Sequence, residues 1–219
     1  YEEIADLMSS YDLKEPLRTI SSYSQLVQHR YAKNLDSDGK QFLQYTVDGA
    51  NRMVRMMDDI LAFSNVSLEK FKPRMVSVKK AVNEVEHVLG NEISKSNAKV
   101  IFGELPEVKV DFIQFKQLLK NLFENSLKFR GQNDPVIELD VQEMNNHFLF
   151  KVRDNGIGIS KAYHESIFDV FGKIKEAGKA TGTGVGLAVC KKIISNHNGK
   201  IWVESNGTGQ GSEFCFTIP

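Results

Sequence analysis

Cysteine is nearly missing: Cys190 and Cys215 are the only two in 219 residues. Both sit in apolar segments, where a thiol packs as a small hydrophobe, so a disulfide framework is excluded and a reducing, cytoplasmic setting is expected. Charge of either sign is not in excess, since 28 Lys+Arg balance 28 Asp+Glu. A chain that grips nucleic acid needs a basic surplus to neutralise phosphates, so no nucleic-acid partner is expected. No apolar run approaches the roughly 20 residues that cross a bilayer, and no signal or transit peptide is visible. The chain starts at Tyr1 without Met and reads as an excised piece of a longer protein, whose membrane attachment is unknown. What remains is an ordinary globular mixture, 41% hydrophobic and 26% charged, long enough for one large domain or two modest ones.

The first 66 residues hold one proline, Pro16, and two glycines, Gly39 and Gly49. Phe42, Thr46, Gly49, Met53, Met56, Ile60 and Phe63 follow alternating steps of four and three, the spacing of a coiled-coil seam. Tyr45, Ala50, Met57 and Leu61 widen it. Upstream, Leu13, Leu17, Ile20, Ser24, Val27 and Tyr31 keep the same rhythm, and Asn34–Gly39 is rich in turn and capping residues. Two such helices cannot bury both faces alone, so a homodimeric four-helix bundle is predicted.

After Ser67 the pattern changes. Met75–Val78 is a short strand candidate and Lys79 to about Lys95 an amphipathic helix. Period-two runs follow at Ile137/Leu139/Val141, Phe148/Phe150/Val152, Ile201/Val203 and Phe214/Phe216/Ile218. Helical segments near 112–129 and 184–197 separate them. The expected class is α+β: a helical hairpin (1–66), a linker (67–72), and a mixed sheet with helices on one face (73–219).

Three glycine clusters lie in that second part: Asp154-Asn155-Gly156-Ile157-Gly158-Ile159 after a strand, Gly182-Thr183-Gly184-Val185-Gly186-Leu187 before an apolar helix, and Gly207-Thr208-Gly209-Gln210-Gly211 between the last strands. Glycines before a helix let backbone N–H groups approach an anion. Each cluster alone is weak evidence, and 206–211 reads as a plain turn. Gly182–Gly186 lacks the third glycine and the leading strand of a dinucleotide fingerprint, and there is no Walker element. The helix Gln117–Phe129 adds what they lack. Asn121, Asn125 and Lys128 share one face, amide oxygens suit a hard cation such as Mg²⁺, and Lys128 suits phosphate.

Together these motifs resemble the catalytic core of a sensor histidine kinase: a dimerisation and phosphoacceptor hairpin followed by an ATP-binding domain of the GHKL (Bergerat) class. Gln117–Phe129 is similar to the family's asparagine box, Asp154–Ile159 and Gly182–Leu187 to its two glycine boxes, and Ile167–Phe171 to its phenylalanine box. The resemblance implies ATP and Mg²⁺ as ligands. It places the adenine amino group on Asp154, with Gly156 and Gly158 making room for the base and Phe129 against the adenine pocket. Asn125 would ligate Mg²⁺ with Asn121 assisting, and Lys128 would meet the phosphates. Gly182, Thr183, Gly184, Gly186 and Leu187 would shape the phosphate end. Gly172–Thr181, with Lys173, Lys175 and Lys179, would be a lid. A response regulator receiver domain and an upstream sensor domain are the implied partners.

Two positions depart from that resemblance. Relatives that hydrolyse ATP carry Glu where Asn121 stands, so water activation is not provided for and transfer to a protein group is favoured. In the first helix the family's acceptor histidine is replaced: Tyr11-Asp12-Leu13-Lys14-Glu15-Pro16 has Tyr11 at the acceptor position, beside the Asp12 that would orient an imidazole. A phenol is almost wholly protonated near pH 7 and forms a stable ester, so self-phosphorylation is expected to be lost. Glu15 stands where bifunctional relatives place Thr or Asn, so efficient regulator phosphatase activity is not expected either. The alternative is a catalytically silent module that dimerises and docks a response regulator or partner kinase. His29, His87, His147, His164 and His197 are assigned surface or structural places.

Overall fold

The computed structural model describes residues 14–68, 71–172 and 182–219. They fall into two compact units that divide between Ser67 and Leu68. Tyr11, Asp12 and residues 173–181, which hold Lys173 and most of the expected lid, lie outside the described residues.

The first unit is an antiparallel hairpin of α1 (Lys14–Arg30) and α2 (Ser37–Leu68). Asp36 caps α2, its carboxylate accepting the Gly39 N–H at 2.7 Å. Three polar rungs set the register: Lys14 with Asp58, Ser21 Oγ donating to Asn51 Oδ1 at 3.1 Å, and Gln28 Nε2 donating to Gln44 Oε1 at 3.3 Å. The partners step by seven residues along each helix in opposite directions, which is the spacing of a heptad seam. Val47 and Ala50 are buried beside the middle rung. The apolar stripe predicted as a bundle seam turns elsewhere: Phe42 is 64%, Tyr45 61% and Met53 47% exposed, and on α1 Ile20, Tyr23 and Val27 are open as well. A single hairpin therefore leaves uncovered the face that a bundle would bury.

The second unit is a mixed five-stranded sheet with helices packed on it. Its strands run β2 (Lys99–Phe102), β4 (Val136–Glu143), β5 (Phe148–Asp154), β7 (Ser212–Ile218) and β6 (Ile201–Glu204), in that spatial order. The β2–β4 pair is parallel and the rest antiparallel. A separate ribbon joins β1 (Arg74–Ser77) to β3 (Glu107–Val110). The helices are α3 (Val78–Val88), α4 (Gly90–Ser96), α5 (Phe112–Lys128) and α6 (Gly186–Asn196). Period-two residues build the core as expected: Ile137, Leu139, Phe150, Val152, Val203, Phe214, Phe216 and Ile218 are buried. Phe115 on α5 meets Phe150 edge-on, and Phe150 stacks on Phe216 at 4.7 Å, fastening helix to sheet. Val78 begins α3 rather than ending a strand, because Ser77 caps the helix by accepting the Lys80 N–H. The single helix expected over 79–95 breaks at Leu89–Gly90, where Leu89 leaves helical geometry (φ −92°, ψ 9°) and a second short helix starts.

Candidate functional site

Helix α5 carries the chemistry. Asp111 starts it, accepting the N–H groups of Ile113 at 3.0 Å and Gln114 at 3.2 Å. One apolar flank, Phe115, Leu118, Leu119, Leu122 and Phe123, is fully buried and anchors the helix. That anchoring turns Asn121, Asn125 and Lys128 along one line. Asn121 is buried; its Oδ1 accepts from Gln117 Nε2 at 2.8 Å and its Nδ2 donates to the Gly186 carbonyl at 3.0 Å. Asn125, one turn on, is half-buried and has no side-chain hydrogen bond to another described residue. Lys128 ends the helix with its ammonium 5.2 Å from the Phe129 ring centroid. The same ammonium lies under Gly182, where an added Cβ would come within 2.9 Å of it.

The loop after β5 docks onto the end of this helix. The Ile157 N–H donates to the Phe129 carbonyl at 2.9 Å, and a Cβ on Gly156 would stand 2.4 Å from that same oxygen. Asp154 is thereby brought beside Phe129. Its Oδ1 accepts the Gly156 N–H at 2.8 Å. Burial pushes the Asp154 carboxyl up to about 6, partly offset by hydrogen bonds from the backbone of Gly156 and Ser212. A carboxylate held there without a cationic partner among the described residues is poised to accept a hydrogen bond from a ligand.

Gly158 can be nothing else. It has φ +71°, and a Cβ would fall 2.0 Å from the Gly207 carbonyl oxygen. That contact shows what the third glycine cluster does. The Gly209 N–H donates to Ile157 O at 2.6 Å and the Gly211 N–H to Gly156 O at 3.1 Å. Ser205 adds a brace, accepting the Ile159 N–H at 3.0 Å and donating to Gly211 O at 2.7 Å. The cluster expected to be a plain turn is therefore the back wall of the Asp154 loop. Neither it nor Ser205 nor Gln117 was anticipated as part of the site; alternate glycines at 207, 209 and 211 were the available signal.

The second glycine cluster meets the phenylalanine-box segment. Phe171 takes a left-handed backbone, φ +67°, and its N–H donates to Gly184 O at 2.8 Å. Thr183 Oγ1 accepts the Val185 N–H at 3.4 Å, and Leu187 is half-buried in the first turn of α6. Val185 stands at the N-cap with no side chain capping the helix, which leaves the first-turn N–H groups of α6 to other partners. Asn121, Asn125, Lys128, Phe129, Asp154, Gly156, Gly158, Gly182, Gly184 and Gly186 thus converge where α5, the β5 loop and the start of α6 meet. Among the described residues no three His, Cys, Asp or Glu gather as a metal cage. A divalent ion here would depend on amide oxygen and on the ligand's own oxygens, and Asn125 supplies the unengaged amide. A depression of about 310 Å³ lies instead on the outer face of the sheet, lined by Ile101, Phe102, Glu138, Lys151 and Arg153 among others, and includes none of these residues.

Residues 110–219 match the model of the histidine kinase-, DNA gyrase B- and HSP90-like ATPases, and residues 8–68 that of the His kinase A (phospho-acceptor) domain. The chain belongs to this ATPase family. With the phospho-acceptor domain ahead of it, the architecture is that of a sensor histidine kinase core. Cyanobacterial phytochrome A of Nostoc sp. is 39% identical over 212 residues, covering 97% of this chain and 28% of the relative, so the chain spans little more than a quarter of that protein. Full-length ShkA in complex with AMPPNP shares the fold with a TM-score of 0.71 at 20% identity, covering 100% of this chain and 45% of that one. Histidine kinase ThkA in complex with the response regulator protein TrrA does so with a TM-score of 0.65 at 24% identity, covering 95% and 60%. The family match accords with the α+β class read from the sequence. No described helix is long and apolar enough to cross a membrane.

Proposed function

We propose that residues 73–219 bind Mg-ATP and that residues 1–66, joined to them by a linker at 67–72, form the dimerising phosphoacceptor unit of a two-component sensor histidine kinase. Asp154 carries the reading: a largely buried carboxylate, raised to about 6 and held by the backbone of Gly156 and Ser212, beside the helix that bears Asn125 and Lys128. Asp154 accepts from the adenine amino group while Gly156, Gly158 and Phe129 shape the base pocket. Lys128, the Gly182–Leu187 turn and Lys173 of the lid serve the phosphates, and Asn125 offers its carbonyl oxygen to the metal. Magnesium, when bound, neutralises phosphate charge during transfer. ATP titration tests this. Asp154→Asn should weaken binding about ten- to a hundredfold by removing a charge-assisted contact, and an unchanged Kd overturns the assignment.

The reaction class is phosphoryl transfer to a protein group, with the chain's own acceptor position occupied by Tyr11. Tyr11 also favours a second reading, a catalytically silent module that dimerises and docks a response regulator receiver domain or a partner kinase. Mixed dimers separate the two. A partner subunit with His at position 11 and a disabled nucleotide site becomes phosphorylated only if this chain's ATP domain is catalytic.

A further inference from the structure

The two asparagines of α5, one turn apart and alike in sequence, stand in different surroundings. Asn125 keeps its amide out of hydrogen bonds with other described residues, whereas both ends of the Asn121 amide are engaged. The orientation of that amide follows from chemistry. The Gly186 carbonyl can only accept, so the end facing it must be the Nδ2 donor. The oxygen is thereby turned toward Gln117, whose Nε2–H holds it at 2.8 Å. Cys190, one turn into α6, is buried and points its thiol at the Leu118 carbonyl of α5.

We infer that Asn121 is a positioning residue that clamps α5 to the first turn of α6, and that Gln117 sets the clamp by fixing the Asn121 amide. Asn121 is then not a magnesium ligand. The clamp matters because the first turn of α6 has no side-chain cap of its own. Further along the same antiparallel pair, Cys190 Sγ faces the Leu118 carbonyl and Asn196 Nδ2 donates to Gln114 Oε1 at 3.2 Å, so the far end is tied independently. Asn121 is the cross-link at the end where the phosphates belong. This role rests on the nucleotide reading above, but the clamp itself exists without ligand.

Three variants, Asn121→Asp, Gln117→Leu and Asn125→Ala, decide the matter in the full 219-residue chain. Nucleotide affinity is measured with ADP in Mg²⁺ and in EDTA, and amide hydrogen exchange over residues 186–192 without nucleotide. Asn121→Asp keeps an acceptor for Gln117 but turns a carboxylate oxygen on the Gly186 carbonyl. The clamp predicts roughly tenfold weaker ADP binding by the same factor in Mg²⁺ and in EDTA. It also predicts faster exchange in the first turn of α6. Gln117→Leu should act in the same direction, by about threefold, and add nothing when combined with Asn121→Asp. Asn125→Ala should lose affinity in Mg²⁺ alone. If Asn121→Asp binds Mg-ADP as well as or better than the native chain, as a stronger oxygen ligand would, the inference is wrong. Unchanged exchange over 186–192 in both clamp variants also overturns it, whatever the nucleotide data show. A native chain that binds no nucleotide in either condition removes the site reading and the positioning role together.

Discussion

The backbone N–H of Asp111 donates to Nε2 of His197 across 3.0 Å, which fixes the proton of that imidazole on Nδ1, where the Ile193 carbonyl accepts it at 2.8 Å. Phe71 stands edge-on to the ring at 4.8 Å, and the Lys72 N–H donates to Asp111 Oδ2 at 3.0 Å. One buried histidine thus joins the segment entering the second unit to the start of α5 and the end of α6. Burial lowers its pKa, opposed by the Ile193 carbonyl and the Asp111 charge. The folded state therefore holds the proton less readily than the unfolded chain. The stability this ring contributes is present above its unfolded pKa of about 6.5 and is lost as pH falls below it. His197→Ala should cost on the order of 2–3 kcal/mol at pH 7.5. The difference between native and variant chains should shrink as pH falls below 6.5, followed by urea denaturation at each pH. A difference constant from pH 7.5 to 5.5 would show that the ring does not titrate this way.

Asp154 has the opposite sign. Its carboxyl rises from an ordinary 3.8 to about 6, so the folded state takes up a proton more readily and loses stability as pH climbs between those values. At neutral pH that shift corresponds to about 3 kcal/mol of unfavourable ionisation without ligand. Asp154→Asn should therefore raise the melting temperature of the nucleotide-free chain at pH 7 while it weakens ATP binding. In the native chain, ATP affinity should fall as pH drops below about 6, where the acceptor becomes protonated. Calorimetry of both chains at pH 5 and 7.5 checks the pair of effects, and destabilisation by the substitution at pH 7.5 would contradict the account.

Strands β4, β5 and β7 and helices α5 and α6 were legible because each buries one clear stripe. The short strands β2 and β3 were not, since Lys99-Val-Ile-Phe and Glu107-Val-Lys-Val are four residues long and owe their existence to partners distant in sequence. The site was legible as residue types in order. Its bracing was not, because Gly207 and Ser205 reach the Asp154 loop only once β7 pairs with β5 and β6. Nor does any pattern distinguish Asn121 from Asn125; what separates them is a carbonyl 65 residues away.

The open stripe of the hairpin sets the third prediction. Phe42, Tyr45 and Met53 are exposed on α2 with Ile20 and Val27 on α1, while the polar rungs hold the hairpin's inner face. In the proposed dimer a second copy would cover that stripe and bury it in a four-helix bundle. Phe42→Glu with Met53→Glu should convert a dimer to a monomer by light scattering, since each places an uncompensated charge in the seam. Asn51→Ala removes the acceptor of Ser21 instead, and should cost about 1 kcal/mol of hairpin stability without changing the oligomeric state. A monomeric native chain would rule out the bundle.

In the proposed reading Tyr11 stands at the acceptor position, so Tyr11→His is the sharpest test of phosphoryl transfer. At pH 7 a phenol with a pKa near 10 offers almost no phenolate, whereas about half or more of an imidazole with a pKa near 6.5 is neutral and nucleophilic. The native chain incubated with Mg-ATP should therefore accumulate no acid-labile phosphate. Tyr11→His should gain it, stable to alkali and lost in acid, provided the ATP unit is catalytic. Adding Asp154→Asn to that variant should suppress labelling again, tying the gain to the nucleotide site rather than to contamination. Failure of Tyr11→His to label, in a chain that still binds Mg-ATP with native affinity, would favour the silent docking module over the kinase.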